Sequence, residues 1–374
     1  MTEIDHYESI RQKMSIDELG TPKHKKTIEF LKMLYNKEEI ELLDKGFDRG
    51  YQPLSARNIS KKTGIDKNKV KEILKGLSKR GLIFKLASKY MLMNLVPGFF
   101  EHYILTHGDD EENYKKAAKY FRWAFLNLTP QMYNNLKLKG KSIWLPKLPY
   151  DAEEKIIQID EGIPIKDQKV FTGELVRELI DKNTTFAKVY CQCREIARIS
   201  GEPCNYVSEE LGCLLCGITA KIAIDQGWGE EIPSKEEAIE YARKCEKAGL
   251  VHFGMNVGAI TFICNCCRDC CCGLRGMSEL GLTYGRSNFD PKWNPELCVF
   301  CEKCIEICPM EAIQHQYPVK EENDVIFFNL ERCLGCGVCA ENCPKGAITL
   351  VKVRTDSTPE MSGLGKKIQD NILG

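Results

Sequence analysis

Two runs of cysteine near the C-terminus carry the clearest chemistry in this chain. The first is Cys298-x2-Cys301-x2-Cys304-x3-Cys308-Pro309, and the second is Cys333-x2-Cys336-x2-Cys339-x3-Cys343-Pro344. Every cysteine of the first recurs 35 residues later, as do Asn294 as Asn329, Glu296 as Glu331 and Ala312-Ile313 as Ala347-Ile348. Such self-similarity marks an internal duplication. Three thiolates spaced by two residues lie on one tight loop and can reach three irons of one cubane; the fourth, followed by proline, points to the other cubane. The spacing therefore predicts one [4Fe–4S] cluster on Cys298, Cys301, Cys304 and Cys343 and another on Cys333, Cys336, Cys339 and Cys308. Structural zinc also uses CxxC pairs, but it needs no exchange of a fourth ligand between repeats.

Over residues 290–351 these eight positions resemble the bacterial-type dicluster ferredoxins. The resemblance implies a compact α+β fold with pseudo-two-fold symmetry that passes single electrons. The second loop is glycine-rich between Cys333 and Cys339, whereas the first carries Phe300, Glu302 and Lys303. The two clusters are therefore expected to differ in potential.

A second cysteine field lies upstream. Eleven cysteines fall between Cys191 and Cys272, Cys245 being a twelfth, and six of them crowd into residues 264–272. A chain in a reducing compartment has little reason to hold such a run except to bind a soft metal. The ligand pool is Cys191, Cys193, Cys204, Cys213, Cys264, Cys266, Cys267, Cys270 and Cys271. It is too large for one cubane, so either two centres exist or several thiols are spectators. A third iron–sulfur cluster is the first expectation. A zinc site on Cys191, Cys193, Cys204 and one cysteine of Cys264-Asn265-Cys266-Cys267 is the second, and a redox-active dithiol or persulfide the third.

Not every polar residue here is a ligand. Cys245 shares a helix face with Ala238, Tyr241 and Ala242, behind a Ser234/Glu237 capping box, and reads as core. Cys213 and Cys216 are expected on one helix face, with one a ligand and the other buried. The Cys191/Cys193 pair is expected on a short extended segment. His252 could serve as a ligand or proton donor, or simply make structural hydrogen bonds. Arg194 and Arg268 each neighbour thiols whose charge they could offset.

The elements that must position these residues follow from the rest of the chain. At 374 residues, two or three domains are expected. Net charge is zero, so no general preference for polyanions follows. The N-terminus has neither a basic start nor an apolar stretch of signal-peptide type, and no run reaches membrane-spanning length. The expectation is a cytoplasmic protein, with its cysteines as metal ligands and an anaerobic host.

Residues 1–105 read as a winged-helix-like domain. Ile28, Leu31, Leu34 and Tyr35 recur at helical spacing, and a second helix runs from Glu38 to Phe47. Asp66 caps a helix with Val70, Ile73, Leu74 and Leu77 on one face; Gly81 stops it, and a two-strand wing turns at Ala87-Ser88. Residues 57–90 hold eleven Lys and Arg against Asp66 and Glu72, with Lys67, Lys71 and Lys75 on one face. That pattern suits phosphate contacts. Few side chains are placed to read base edges, so protein docking is preferred over sequence-specific DNA binding.

Residues 106–190 read as a connecting helical region. Tyr114, Ala118, Phe121 and Phe125 form a packing stripe on one helix, Ile156–Ile159 a strand, Gly162–Pro164 a turn, and Thr172 the cap of a helix through Leu175 and Ile180. Trp144–Tyr150, with Pro146 and Pro149, reads as an extended linker or surface arm.

The order of these features is similar to a family of cytoplasmic iron–sulfur-binding proteins of anaerobic bacteria and archaea, labelled 4Fe–4S ferredoxin-type. Cys191-Gln192-Cys193-Arg194, Gly249-Leu250-Val251-His252, Cys264-Asn265-Cys266-Cys267 and the eight ferredoxin cysteines carry the resemblance. It implies electron transfer, with Cys216 standing where an aromatic residue is expected. The reading is a multidomain α+β chain: winged-helix-like domain (1–105), connecting helical region (106–190), mainly helical cysteine-rich metal-binding region (191–285), dicluster ferredoxin (290–351) and tail (352–374). It is expected to serve a redox partner protein. The alternatives are an iron–sulfur oxidoreductase acting on a small substrate at the middle centre and a redox-sensing DNA-binding regulator.

Overall fold

A computed structural model of the chain describes residues 5–16, 19–138, 144–158, 174–255, 261–282, 285–317 and 324–355. Its packing forms two compact units. Of the described residues, the first takes those up to Met132 with Glu195–Pro203, and the second takes Tyr133–Arg194 with those from Cys204 onward. The 106–190 stretch is therefore shared between them and is not one region.

The first unit is built from amphipathic helices with sequence-encoded ends. Asn36 and Glu39 form a capping box at the start of the Lys37–Gly46 helix, and Asp66 accepts from the Asn68 and Lys69 amides at the start of Lys67–Lys79. Val70, Leu74 and Leu77 are buried on that second helix, while Lys67, Lys71 and Lys75 are exposed. Strands Phe84–Leu86 and Lys89–Met91 form the wing, and Leu54–Ser55 adds a third strand to it. The Glu111–Asn127 helix buries Tyr114, Ala118, Phe121 and Phe125, as their spacing predicts.

The second unit centres on an antiparallel sheet of six strands. In spatial order these are Glu230–Ile232, Phe186–Lys188, Leu214–Cys216, Phe262–Cys266, Val251–Met255 and Trp144–Lys147. The middle region holds four helices, Gln192–Ile199, Ile218–Asp225, Lys235–Lys247 and Leu274–Leu280, around four of these strands, and its cysteines sit on and around the sheet. One expectation fails here. Trp144–Lys147 is not a surface arm but a fully buried strand. Pro146 is tolerated because the strand lies at the sheet edge, where only one side needs ladder hydrogen bonds.

The ferredoxin portion follows the duplicated sequence. Phe289–Trp293 pairs with Ile348–Lys352, and Ile313–Gln316 pairs with Val325–Phe328. Short helices Lys303–Ile307 and Val338–Glu341 follow the two cysteine loops. Left-handed backbone occurs at Phe300, Glu302 and Glu311 in the first repeat and at Gly335, Gly337 and Gly346 in the second. These are the same three positions, 35 residues apart. The loop geometry is thus common to both repeats, and only the second has the residue that adopts it without strain. Ile157–Gln158 adds a parallel strand beside Leu350–Val351, and Leu148, Ala152 and Ile156 pack into the same core. The supposed connector is therefore part of the ferredoxin core. Lys352 belongs to the last strand and not to a tail. The Gly162–Pro164 turn, Thr172 and residues 356–374 lie outside the described residues.

Candidate metal centres

The eight ferredoxin cysteines line two cavities, four to each. Cys308, Cys333, Cys336 and Cys339 line one, walled by Pro291, Ile313, Phe328 and Leu350. Cys298, Cys301, Cys304 and Cys343 line the other, beside Phe300, Glu302 and Lys345. Cys308 and Cys343 have each crossed to the opposite repeat. Equivalent amides hold them there: Ala312 N–H donates to Cys308 Sγ at 3.4 Å, and Ala347 N–H to Cys343 Sγ at 3.2 Å. Four sulfurs around each apolar hollow fit the four irons of a cubane. Burial pushes the Cys304 and Cys333 thiols up to about 11 and the Cys336 and Cys339 thiols well above their usual range. Thiolates there require the charge of a bound metal.

In the middle region the thiols converge on one another. Strand alternation puts Cys264 and Cys266 on one face of Phe262–Cys266 and sends Asn265 to the other. Cys264 Sγ lies 3.3 Å from Cys213 Sγ. Cys266 is within hydrogen-bond reach of Cys264 and Cys271, and Cys193 within reach of Cys191, Cys271 and Cys272. Seven thiols thus form one continuous group. Hydrogen bonds from Cys213 and Cys266 hold the Cys264 thiol down at about 5.

A smaller group stands apart. Cys204, Cys267, Asp269 and Cys270 place their ligand atoms within 4.8 Å of one another. Cys204 Sγ is 3.7 Å from Cys267 Sγ and 3.3 Å from Asp269 Oδ1. The Asn205 amide donates to the other carboxylate oxygen, Oδ2, at 3.1 Å.

The polar residues around these groups have distinct roles. Arg194 is 1% exposed. It donates to the Asn265 and Leu211 carbonyls, and its Nε has no partner. Among the described residues it forms no salt bridge to a carboxylate; beside it lie Cys191, Cys267 and Cys204. Arg268 points elsewhere, to Glu311 and over the Tyr206 ring. His252 is buried with Nδ1 2.7 Å from Asn265 Oδ1 and Nε2 3.1 Å from Glu246 Oε1. Both ring nitrogens are engaged, so it is placed as a structural residue and not as a metal ligand.

Other expectations need correction. Cys213 and Cys216 are not on a helix: Cys216 ends the Leu214–Cys216 strand and is packed in an apolar core, and Cys213 immediately precedes that strand. Cys191 and Cys193 are not on an extended segment, since the Gln192–Ile199 helix begins between them. Cys245 is wholly buried on the Lys235–Lys247 helix, as core. Two members of these groups are not singled out by the sequence. Cys272 stands outside the ligand pool read from spacing, and Asp269 is overshadowed by the cysteines on either side of it. A carboxylate inside a cysteine run is the signal that could have found it.

The comparisons with known proteins agree with the two ends of the chain. Among the described residues no helix is long and apolar enough to cross a membrane. No match was found among curated proteins or among solved structures. Residues 50–98 match the family model described as sugar-specific transcriptional regulator TrmB, and residues 297–347 match the model of the 4Fe-4S dicluster domain. The chain thus joins an iron–sulfur dicluster module to an N-terminal segment similar to a winged-helix regulator.

Proposed function

We propose that this protein carries single electrons between a redox partner protein and a metal centre in its middle region. The observation that carries this reading is the gathering of eight ferredoxin cysteines into two cavities of four. Bound there, [4Fe–4S] clusters supply one-electron transfer. Cys298, Cys301, Cys304 and Cys343 would hold one, and Cys308, Cys333, Cys336 and Cys339 the other. Cys301 is exposed, and Leu297 and Val299 beside it are 48% and 56% exposed, which gives a partner an apolar approach. Ile313, Phe328 and Leu350 keep water from the second site. Cys308 and Cys267 line the same cavity of about 230 Å³, so the buried site faces the middle thiols.

Arg194 supports a middle centre. Its guanidinium is charged at any pH a protein meets. Buried without an anion it would cost several kcal/mol. The thiols beside it are the available anions, and metal binding is what makes thiolates of them. The seven-thiol group around Cys193, Cys266 and Cys271 offers more than the four thiolates that a third iron–sulfur cluster needs, and its sulfur contacts, 3.3 Å between Cys213 and Cys264, would open as the cluster formed. Iron and sulfide analysis of the anaerobically purified chain, with EPR, tests this: about twelve irons are expected, and about eight would leave only the ferredoxin sites.

A second reading is a redox-sensing DNA-binding regulator. It is favoured by the match at residues 50–98 and by the exposed lysines of the Lys67–Lys79 helix. Salt-dependent binding to a particular duplex that changes on oxidation would support it. Absence of binding even at low salt would remove it.

A further inference from the structure

We propose that Cys204, Cys267, Asp269 and Cys270 bind one mononuclear zinc ion, independently of what the seven other thiols hold. The site joins three pieces of chain that the sequence separates: the loop at Cys204, the end of the Phe262–Cys266 strand, and the turn before the Leu274–Leu280 helix.

Spacing distinguishes this group from a cubane site. Four tetrahedral ligands about zinc, with Zn–S near 2.3 Å, leave sulfurs about 3.8 Å apart. Cys204 and Cys267 stand 3.7 Å apart, and all four ligand atoms fit within 4.8 Å. The thiolates of a cubane each bind a different iron, so the cluster itself holds them farther apart. The ferredoxin cysteines differ in this respect, since they surround hollows.

The donor set is also suited to zinc. Thiolate and carboxylate are both ligands of this borderline-soft ion, and three of one with one of the other complete a four-coordinate shell. Asp269 is oriented for coordination, because the Asn205 amide fixes Oδ2 and leaves Oδ1 turned toward Cys204 Sγ. Such an outer hydrogen bond orients a ligating carboxylate. Four anionic ligands on a divalent cation leave a net negative charge. Arg194 lies against Cys267 and offsets it, which gives the buried guanidinium its anion. Cys267 and Cys270 are buried, as a closed structural site requires. The ion would pin the Cys204 loop to the turn that also carries Cys271 and Cys272.

X-ray absorption at the zinc edge of the full chain, purified anaerobically from zinc-replete cells, tests the site. The expected result is one zinc per chain with a shell of three sulfurs and one oxygen. Asp269→Cys should keep the zinc and convert the shell to four sulfurs. Cys270→Ser should lower zinc occupancy at least tenfold while the ferredoxin EPR signals persist. Absence of zinc in the parent, an iron neighbour in its shell, or an unchanged shell in Asp269→Cys would each overturn the proposal. Iron measured in the same samples separates this result from the third-cluster reading. About eight irons with one zinc would remove that cluster and leave this site standing.

Discussion

The two cysteine regions solve the same problem in opposite ways. In the ferredoxin portion, short loops hold eight thiols around two hollows, and the loops themselves do the positioning. Local backbone conformation is therefore the organising device: the same three left-handed positions recur in both repeats. In the middle region, thiols from four separate stretches of chain touch one another, and no single loop explains the arrangement. A sheet, a buried arginine and a buried ion pair do the positioning there. A site made by a loop survives changes elsewhere in the fold. A site made by convergence depends on every element that supplies a thiol.

The largest effect expected from this contrast is on iron content. Cys343→Ala should cost about four irons and the EPR signal of the exposed site, while the signal of the Cys333 site remains. Cys271→Ala should lower iron only in the middle region and leave both ferredoxin signals. If Cys343→Ala abolished the buried site's signal instead, the exchange of ligands between repeats would be wrong.

Stability should show the next effect. Glu246 and His252 form a buried pair that also engages Asn265, between Cys264 and Cys266, and Tyr150 N–H. His252→Ala strands the carboxylate and should destabilise the second unit by about 3–5 kcal/mol in anaerobic denaturation. Burial pushes the Glu246 carboxyl up, but the hydrogen bond and charge of His252 outweigh it and hold it below the usual range. The carboxylate's contribution is thus present above its unfolded value of about 4.3 and is lost as pH falls through the lower folded value. The gap between parent and variant should close on acidification; a gap independent of pH would contradict the pairing.

Redox titration followed by EPR should resolve two ferredoxin steps. The exposed Cys301 site is expected at the higher potential, because solvent stabilises the added negative charge better than the apolar wall of the other site. One unresolved step would erase that distinction.

The smallest effect concerns the loops. Gly346 has a φ of +62° and no atom near the position of an added Cβ. Gly346→Ala should cost about 1–2 kcal/mol from backbone strain alone. Gly335→Ala should cost much more, because its Cβ would fall 2.1 Å from the Phe289 carbonyl oxygen. Equal losses from the two variants, measured by thermal unfolding, would show that backbone conformation rather than packing governs both loops.

Much of the first unit is legible in the sequence because its signals are local. Asn36 and Asp66 cap helices through amides two or three residues away, and Val70, Leu74 and Leu77 mark a buried face by spacing alone. The ferredoxin ligand spacing is legible for the same reason. The strand Trp144–Lys147 is hidden because Pro146, with Pro149 just beyond it, argues against regular structure unless an edge position is known. The Leu214–Cys216 strand is hidden because a short apolar run between glycines fits helix and strand alike.

The sequence by itself determined which residues can bind metal and, through the 35-residue duplication, how eight of them are spaced on their loops. Only the tertiary structure decided how the other twelve divide. It gathered seven into one group, set Cys204, Cys267 and Cys270 beside Asp269, and left Cys216 and Cys245 to the core. The physical reason is range. A loop sets neighbours a few residues apart, whereas Cys204 meets Cys267 only because strand pairing and the burial of apolar faces bring their segments together.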